Sequence, residues 1–158
     1  MAGSSSDAFE LLPAAFDAPD VYALVVAQQE ELTAHDGRGD IGPARHAAMF
    51  VPPDGVFLVV RDGGRPVGCG GVARFDETRA ELKRMYVVPE MRGRGLGRLL
   101  LEALEDEARL LGYTGIVLET GVGQLESLGL YASAGYEPIP CYGTYVGQEI
   151  SRCFEKTL

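Results

Sequence analysis

From Arg92 to Arg98 the chain reads RGRGLGR, three alternate glycines set among three arginines. Glycine lets a backbone turn sharply and lets a ligand reach main-chain N–H groups that a Cβ would screen. The apolar run that follows has helical spacing, so this turn ends at a helix N-terminus. Unbonded N–H groups and the positive end of the helix dipole favour an anion there, above all a phosphate. Lys83, Arg84, Arg92, Arg94 and Arg98 stand against the single acid Glu90 in this segment, although the whole chain carries a formal charge of −9. The local excess predicts a small anionic ligand. Two rival phosphate motifs are absent: strict alternation of Gly93, Gly95 and Gly97 breaks the dinucleotide pattern G-x-G-x-x-G, and no G-x-x-x-x-G-K-[ST] occurs.

The elements that must hold this turn can be read on either side of it. Lys83 to Val88, in the strand that begins near Glu81, is rich in β-branched and aromatic residues and stops at Pro89, as a strand would. Leu96, Leu99, Leu100, Ala103, Leu104, Ala108 and Leu111 trace the inner face of a helix closed by Gly112. Glu102, Glu105, Asp106 and Glu107 are read as its solvated surface. Gly115 to Thr120 is a buried strand expected to run parallel to the Glu81 strand through a right-handed crossover. Upstream, Val56–Arg61 and Pro66–Phe75 are strands joined at Asp62-Gly63-Gly64, forming an antiparallel meander with the Glu81 strand. Phe9–Leu12 is a short first strand ended by Pro13. Asp20 caps a helix to about Leu32, Thr33–Gly42 is a loop, and Pro43–Met49 is a second short helix. Gln124–Ala134 forms a last helix, Tyr136–Ile139 and Cys153–Thr157 the final strands, with a loop at Tyr142–Tyr145.

At 158 residues and 46% apolar composition the chain fits one domain, expected over 9–158 behind a disordered tail at 1–8. The fold class is α/β: a central, mainly antiparallel mixed sheet of six to seven strands flanked by helices. The acidic balance argues against a nucleic-acid partner. No apolar run reaches membrane-spanning length, and no secretory leader is visible at the N-terminus. Cys69, Cys141 and Cys153 are odd in number and widely spaced, so they are read as reduced thiols of a cytoplasmic protein with no metal site.

Arg92-Gly93-Arg94-Gly95-Leu96-Gly97 matches R/Q-x-x-G-x-G/A, and Leu130-Tyr131-Ala132-Ser133-Ala134-Gly135-Tyr136 matches L-Y-x-x-x-G-Y/F. On these residues, over about Val56 to Phe154, the chain resembles the GNAT superfamily of acetyl-coenzyme A dependent N-acetyltransferases. The resemblance implies a splayed parallel pair at the fourth and fifth strands and acetyl-CoA as cofactor. It assigns the pyrophosphate to the main chain of Arg92, Gly93, Arg94, Gly95, Leu96 and Gly97, with charge from Arg92, Arg94 and Arg98. Pantetheine contacts fall to Met85, Tyr86 and Val87, and the oxyanion to the Met85 N–H. Gln124 stands where the family often has a cofactor-contacting asparagine.

Within that frame Glu81 is the expected general base and Tyr131 the expected general acid toward the departing thiolate, besides a cofactor contact. A carboxylate near pKa 4.3 is a poor base for an amine unless burial raises it, so Glu81 needs a pocket. The plainer alternative for Tyr131 is a core aromatic in line with Leu125 and Leu128. For the acceptor, Lys83 and Arg84 would lie on opposite faces of their strand, one of them free to bind a carboxylate. Tyr142, Tyr145, Ser151 and the loop at His35 and Asp36 also line the expected acceptor side. A small-molecule amine such as an amino acid, polyamine or antibiotic is the first expectation. A protein N-terminus or lysine is the alternative, and a non-catalytic acyl-CoA sensor the rival from another class. A homodimer is left open.

Overall fold

A computed structural model describes residues 9–36 and 47–158, with residues 35 and 36 by backbone alone. The expected tail at 1–8, the side chains of His35 and Asp36, and most of the expected loop and second helix lie outside the described residues.

Seven strands form one sheet: β1 (Phe9–Pro13), β2 (Val56–Asp62), β3 (Arg65–Arg74), β4 (Arg79–Val87), β5 (Gly115–Gly121), β6 (Glu137–Ile139) and β7 (Ser151–Thr157). Among the described residues three helices join them, α1 (Pro19–Asp36), α2 (Leu96–Leu110) and α3 (Leu125–Ser133). The strand order is β1-β2-β3-β4-β5-β7-β6, and among the described residues the β4/β5 pair alone is parallel. Such a pair cannot be closed by a tight turn, and α2 is its crossover. The architecture is the mixed α/β sheet expected from the sequence, with seven strands. α1 runs four residues past Leu32, and a 3-10 turn at Ala48–Phe50 stands at the end of the expected second helix.

α2 packs on the sheet through Leu100, Leu101 and Leu104, all fully buried, each contributing about 2 kcal/mol of apolar burial. Its buried stripe is rotated from the expected one. Leu99 keeps 44% exposure, whereas Glu105 keeps 5%. Glu105 is therefore no part of a solvated surface. Lys156 Nζ lies 3.0 Å from both of its oxygens, and the Tyr136 hydroxyl donates to Oε2 at 2.9 Å. A buried carboxylate requires such partners, since an unpaired one would cost several kcal/mol. Helical spacing places Glu105 four residues past Leu101 on the buried face, and its partners Lys156 and Tyr136 make that tolerable.

Cys141 and Cys153 are joined by a disulfide, with Cα atoms 5.1 Å apart, which corrects the expectation of three free thiols. Pairing of Ile139 with Cys153 in the β6/β7 ladder brings Cys141 beside its partner, a proximity invisible in their spacing. Cys69 remains a thiol, and full burial pushes its pKa up to about 12, so it is inert.

Two irregularities distort the middle of β4. Its pairing with β5 covers Arg79, Ala80 and Glu81 and then stops, although β4 continues to Val87 and β5 to Gly121. Its pairing with β3 shifts between Cys69 and Gly71, so that Arg84 and Met85 together oppose Gly70. Arg84 sits at φ 63, a left-handed conformation costing a side-chain-bearing residue about 1 kcal/mol. Gly70 makes the bulge possible. A Cβ there would stand 2.6 Å from the Met85 sulfur and 2.9 Å from Leu104 Cδ1.

Candidate functional site

Where β4 and β5 part, a cavity of about 720 Å³ opens. It is lined at one end by Gly93, Gly95 and Gly97, at the other by Glu81, Lys83 and Glu119, and also by Tyr131 and the strand from Leu82 to Val87.

The glycine end is a backbone cradle. Gly95 is the N-cap of α2 at φ 81 and Gly93 has φ 79, conformations that glycine adopts without strain. Nothing lies within 4 Å of the place a Cβ would occupy on either residue, and no side chain caps the helix. The first-turn N–H groups of α2 thus face open space with an anion-favouring dipole behind them.

The arginines around the cradle divide by role. Arg92 donates from Nε to the Val87 carbonyl at 2.9 Å and forms a two-pronged pair with Glu31 at 3.0 and 2.8 Å, its guanidinium over the Tyr86 ring. It clamps α1 to the end of β4, so its charge is already matched. Arg98 lines the cavity and donates to the Ser133 hydroxyl of α3. Arg94 is exposed and outside the cavity lining.

Beyond the cradle, Gln124 lines the cavity at the start of α3. Its Nε2 is buried without a hydrogen-bond partner among the described residues. An unmet buried donor costs about 1–3 kcal/mol, which a ligand carbonyl would recover. Tyr131, 5% exposed, packs edge-on to Tyr136 with ring centroids 5.7 Å apart. Burial pushes its phenol well above the ordinary range, so it stays protonated and acts as a donor. Leu125, meanwhile, is 76% exposed, so Tyr131 does not belong to a buried stripe through that residue.

At the other end, the Tyr142 hydroxyl donates to Glu81 Oε2 at 3.0 Å, and Lys83 Nζ lies 3.6 Å from Oε1. Both side chains of the Glu81–Lys83 pair retain 17% exposure. Desolvation, then the Glu81 charge, pushes the Tyr142 phenol far above its usual range. Glu119 accepts from the Ser151 hydroxyl at 2.7 Å. Lys83 and Arg84 both line the cavity instead of opposing one another across the strand, because the bulge at Arg84 breaks simple alternation. Tyr145 lines the cavity, whereas Tyr142 reaches it only through Glu81.

Several lining residues were missed in the sequence. Gln28 donates from Nε2 to the Met85 carbonyl at 3.0 Å, anchoring the bulge to α1. Its signal was a polar residue on the apolar face of that helix. Glu119 had a similar signal, being the one charge in an otherwise apolar strand. Glu31 had none. Among the described residues, no cluster of three or more His, Cys, Asp or Glu is placed to hold a metal, and no helix is long and apolar enough to cross a membrane.

Comparison with known proteins converges on one family. Residues 18–136 match the model of the acetyltransferase (GNAT) family. An IAA acetyltransferase of Azospirillum brasilense is 40% identical over 140 residues, covering 85% of this chain and 90% of that one. A proposed acyl-CoA N-acyltransferase of Klebsiella pneumoniae superposes with a TM-score of 0.79 at 28% identity, over 95% of this chain and 97% of that one. The PaiA N-acetyltransferase of Thermoplasma acidophilum, solved with coenzyme A, gives a TM-score of 0.73 at 17% identity over 95% and 99%, a likeness of fold.

Proposed function

Because the chain belongs to the acetyltransferase (GNAT) family, we propose that it transfers an acetyl group from acetyl-CoA directly to the amine of a small molecule. Residues 9–158 act as one acetyltransferase domain in this reading, and the cytoplasm, where acetyl-CoA is made and used, is its place. The observation that carries it is the fork. β4 and β5 stop pairing at Glu81, and the cavity between them joins an anion cradle to a carboxylate.

The cavity's donors fit the cofactor. The N–H groups of Gly93 to Gly97 bind the pyrophosphate, Arg98 adds charge, and Gln124 Nε2 meets a pantetheine carbonyl. Acetyl-CoA supplies a thioester whose carbonyl carbon accepts the amine. Met85 offers its N–H to the carbonyl oxygen as negative charge gathers there. Glu81 takes the proton that the amine loses, directly or through a water. Tyr131, held neutral, gives a hydrogen bond to the sulfur as the C–S bond breaks and coenzyme A leaves as the thiolate.

The small-molecule preference rests on access. Lys83 and Tyr145 line the cavity with Glu81, whose side chain keeps only 17% exposure. The relatives leave the acceptor open: the Azospirillum protein is called an IAA acetyltransferase, and nothing in this cavity singles out that compound.

A thiol-release assay with acetyl-CoA tests the reading. The amine panel holds amino acids, a polyamine, an aminoglycoside, a peptide with a free N-terminus and a lysine peptide. Acceptor-dependent thiol with a small amine is expected. Release with the peptides alone would move the acceptor to proteins. Tight acetyl-CoA binding without acceptor-dependent thiol would make the protein a sensor.

A further inference from the structure

Glu81 is not a bare carboxylate. Each of its oxygens is engaged from a different direction: Oε2 by the Tyr142 hydroxyl at 3.0 Å and Oε1 by Lys83 Nζ at 3.6 Å. Tyr142 is itself held firmly. Its ring meets Phe75 edge-on at 4.7 Å and Tyr145 at 5.7 Å, and the residue before it, Cys141, is tied to β7 by the disulfide. Phe75 is braced in turn by the Arg79 guanidinium, 5.0 Å from its ring centroid. A tyrosine fixed by its ring neighbours and a covalent link next to it donates from a defined point.

We propose that Tyr142 is a positioning residue for the acetyl transfer, its hydroxyl holding the Glu81 carboxylate oriented at the mouth of the β4/β5 fork. The proposal rests on Glu81 as the base. With Oε2 bound by a fixed donor, Oε1, which makes only the longer 3.6 Å contact with Lys83, faces the amine in one orientation instead of rotating about its last bond. Desolvation and the Glu81 charge favour the protonated phenol, which is the form that donates to Glu81.

The charged and titratable groups around Glu81 are few. Lys83 lies on the same strand, Glu119 on β5 faces Tyr142, Tyr145 comes from the turn after β6, and Arg79, two residues before Glu81, is paired with Glu155 of β7. Among these, Tyr142 is the neutral donor whose removal leaves every charge in place. The substitution Tyr142→Phe therefore isolates the hydrogen bond and keeps the ring packing.

The test has two readouts. In the first, protein carrying ¹³C-labelled glutamate carboxyls is followed by NMR at one neutral pH, with the Glu81 signal assigned by its loss in Glu81→Gln. A hydrogen bond to a carboxylate oxygen alters its carbon shift, so the Glu81 signal is expected to move in Tyr142→Phe. An unmoved signal overturns the proposal. In the second, kcat/KM is followed against pH with the fastest amine of the thiol-release panel. Tyr142→Phe is expected to move the acidic limb to higher pH and lower kcat, leaving KM for acetyl-CoA unchanged.

The outcomes separate the proposal from its premise. If Glu81→Gln keeps the wild-type acidic limb, Glu81 is not the base and the premise fails. If Glu81→Gln abolishes that limb while Tyr142→Phe leaves it in place, the base stands and the proposal is overturned. If no amine turns over, acetyl transfer fails as a reading, and the NMR signal still decides whether Tyr142 holds Glu81.

Discussion

At the Gly93–Gly97 end the cavity is walled by the main chain of one unbroken stretch, its donors set by two left-handed glycines and an uncapped helix. At the Glu81 end it is walled by side chains from β4, β5 and the turn after β6, and the central contact joins residues 61 positions apart. The first end depends on backbone conformation and tolerates changes in its side chains. The second depends on the registers of separate strands, and each side chain there is tuned by another. Cofactor binding and chemistry should therefore respond to substitution in different ways.

The largest effect is expected at the chemical end. Glu81→Gln should lower kcat on the order of 100-fold to 1000-fold, the usual scale for a lost general base, with KM for acetyl-CoA little changed. Steady-state kinetics checks it, and an equal loss in both parameters would erase the contrast between the ends. At the other end, Gly95→Val forces a β-branched residue into φ 81 and screens the cradle. Coenzyme A affinity by calorimetry should fall on the order of 30-fold. Arg94→Ala, removing an exposed arginine outside the cavity, should change it by less than about 3-fold.

Two smaller effects concern the frame of the chemical end. The disulfide closes a loop with a sequence separation of 12, so reductant should remove about 3 kcal/mol and lower the Tm by several degrees. Scanning calorimetry with and without reductant measures it. Asp76, at the turn into β4, has its carboxyl held down to about 2, chiefly by the Arg79 side chain. Its folded value lies below its unfolded one, so its contribution is present above about pH 4 and disappears as the pH falls toward 2. The stability difference between wild type and Asp76→Asn should vanish over that interval in acid titrations followed by circular dichroism.

The same division separates the features legible in the sequence from those that were not. The cradle was legible because glycines, arginines and the helix after them are contiguous, and backbone chemistry is local. The parallel pair could be inferred from the order strand, helix, strand. The bulge at Arg84 was not legible, since the residue that permits it, Gly70, lies on another strand. Nor was the burial of Glu105, made possible by Lys156 on β7, nor the disulfide, made possible by the β6/β7 register. Arg92 shows the limit within a matched motif. The pattern named it as a phosphate residue, and the fold commits its guanidinium to Glu31 and the Val87 carbonyl.

A crystal structure with coenzyme A bound tests the central claim most directly. Pyrophosphate oxygens are expected within about 3 Å of the N–H groups between Gly93 and Gly97, with the thiol in the β4/β5 fork between Tyr131 and the Met85 N–H. Pyrophosphate bound away from that turn, or a thiol outside the fork, would contradict it.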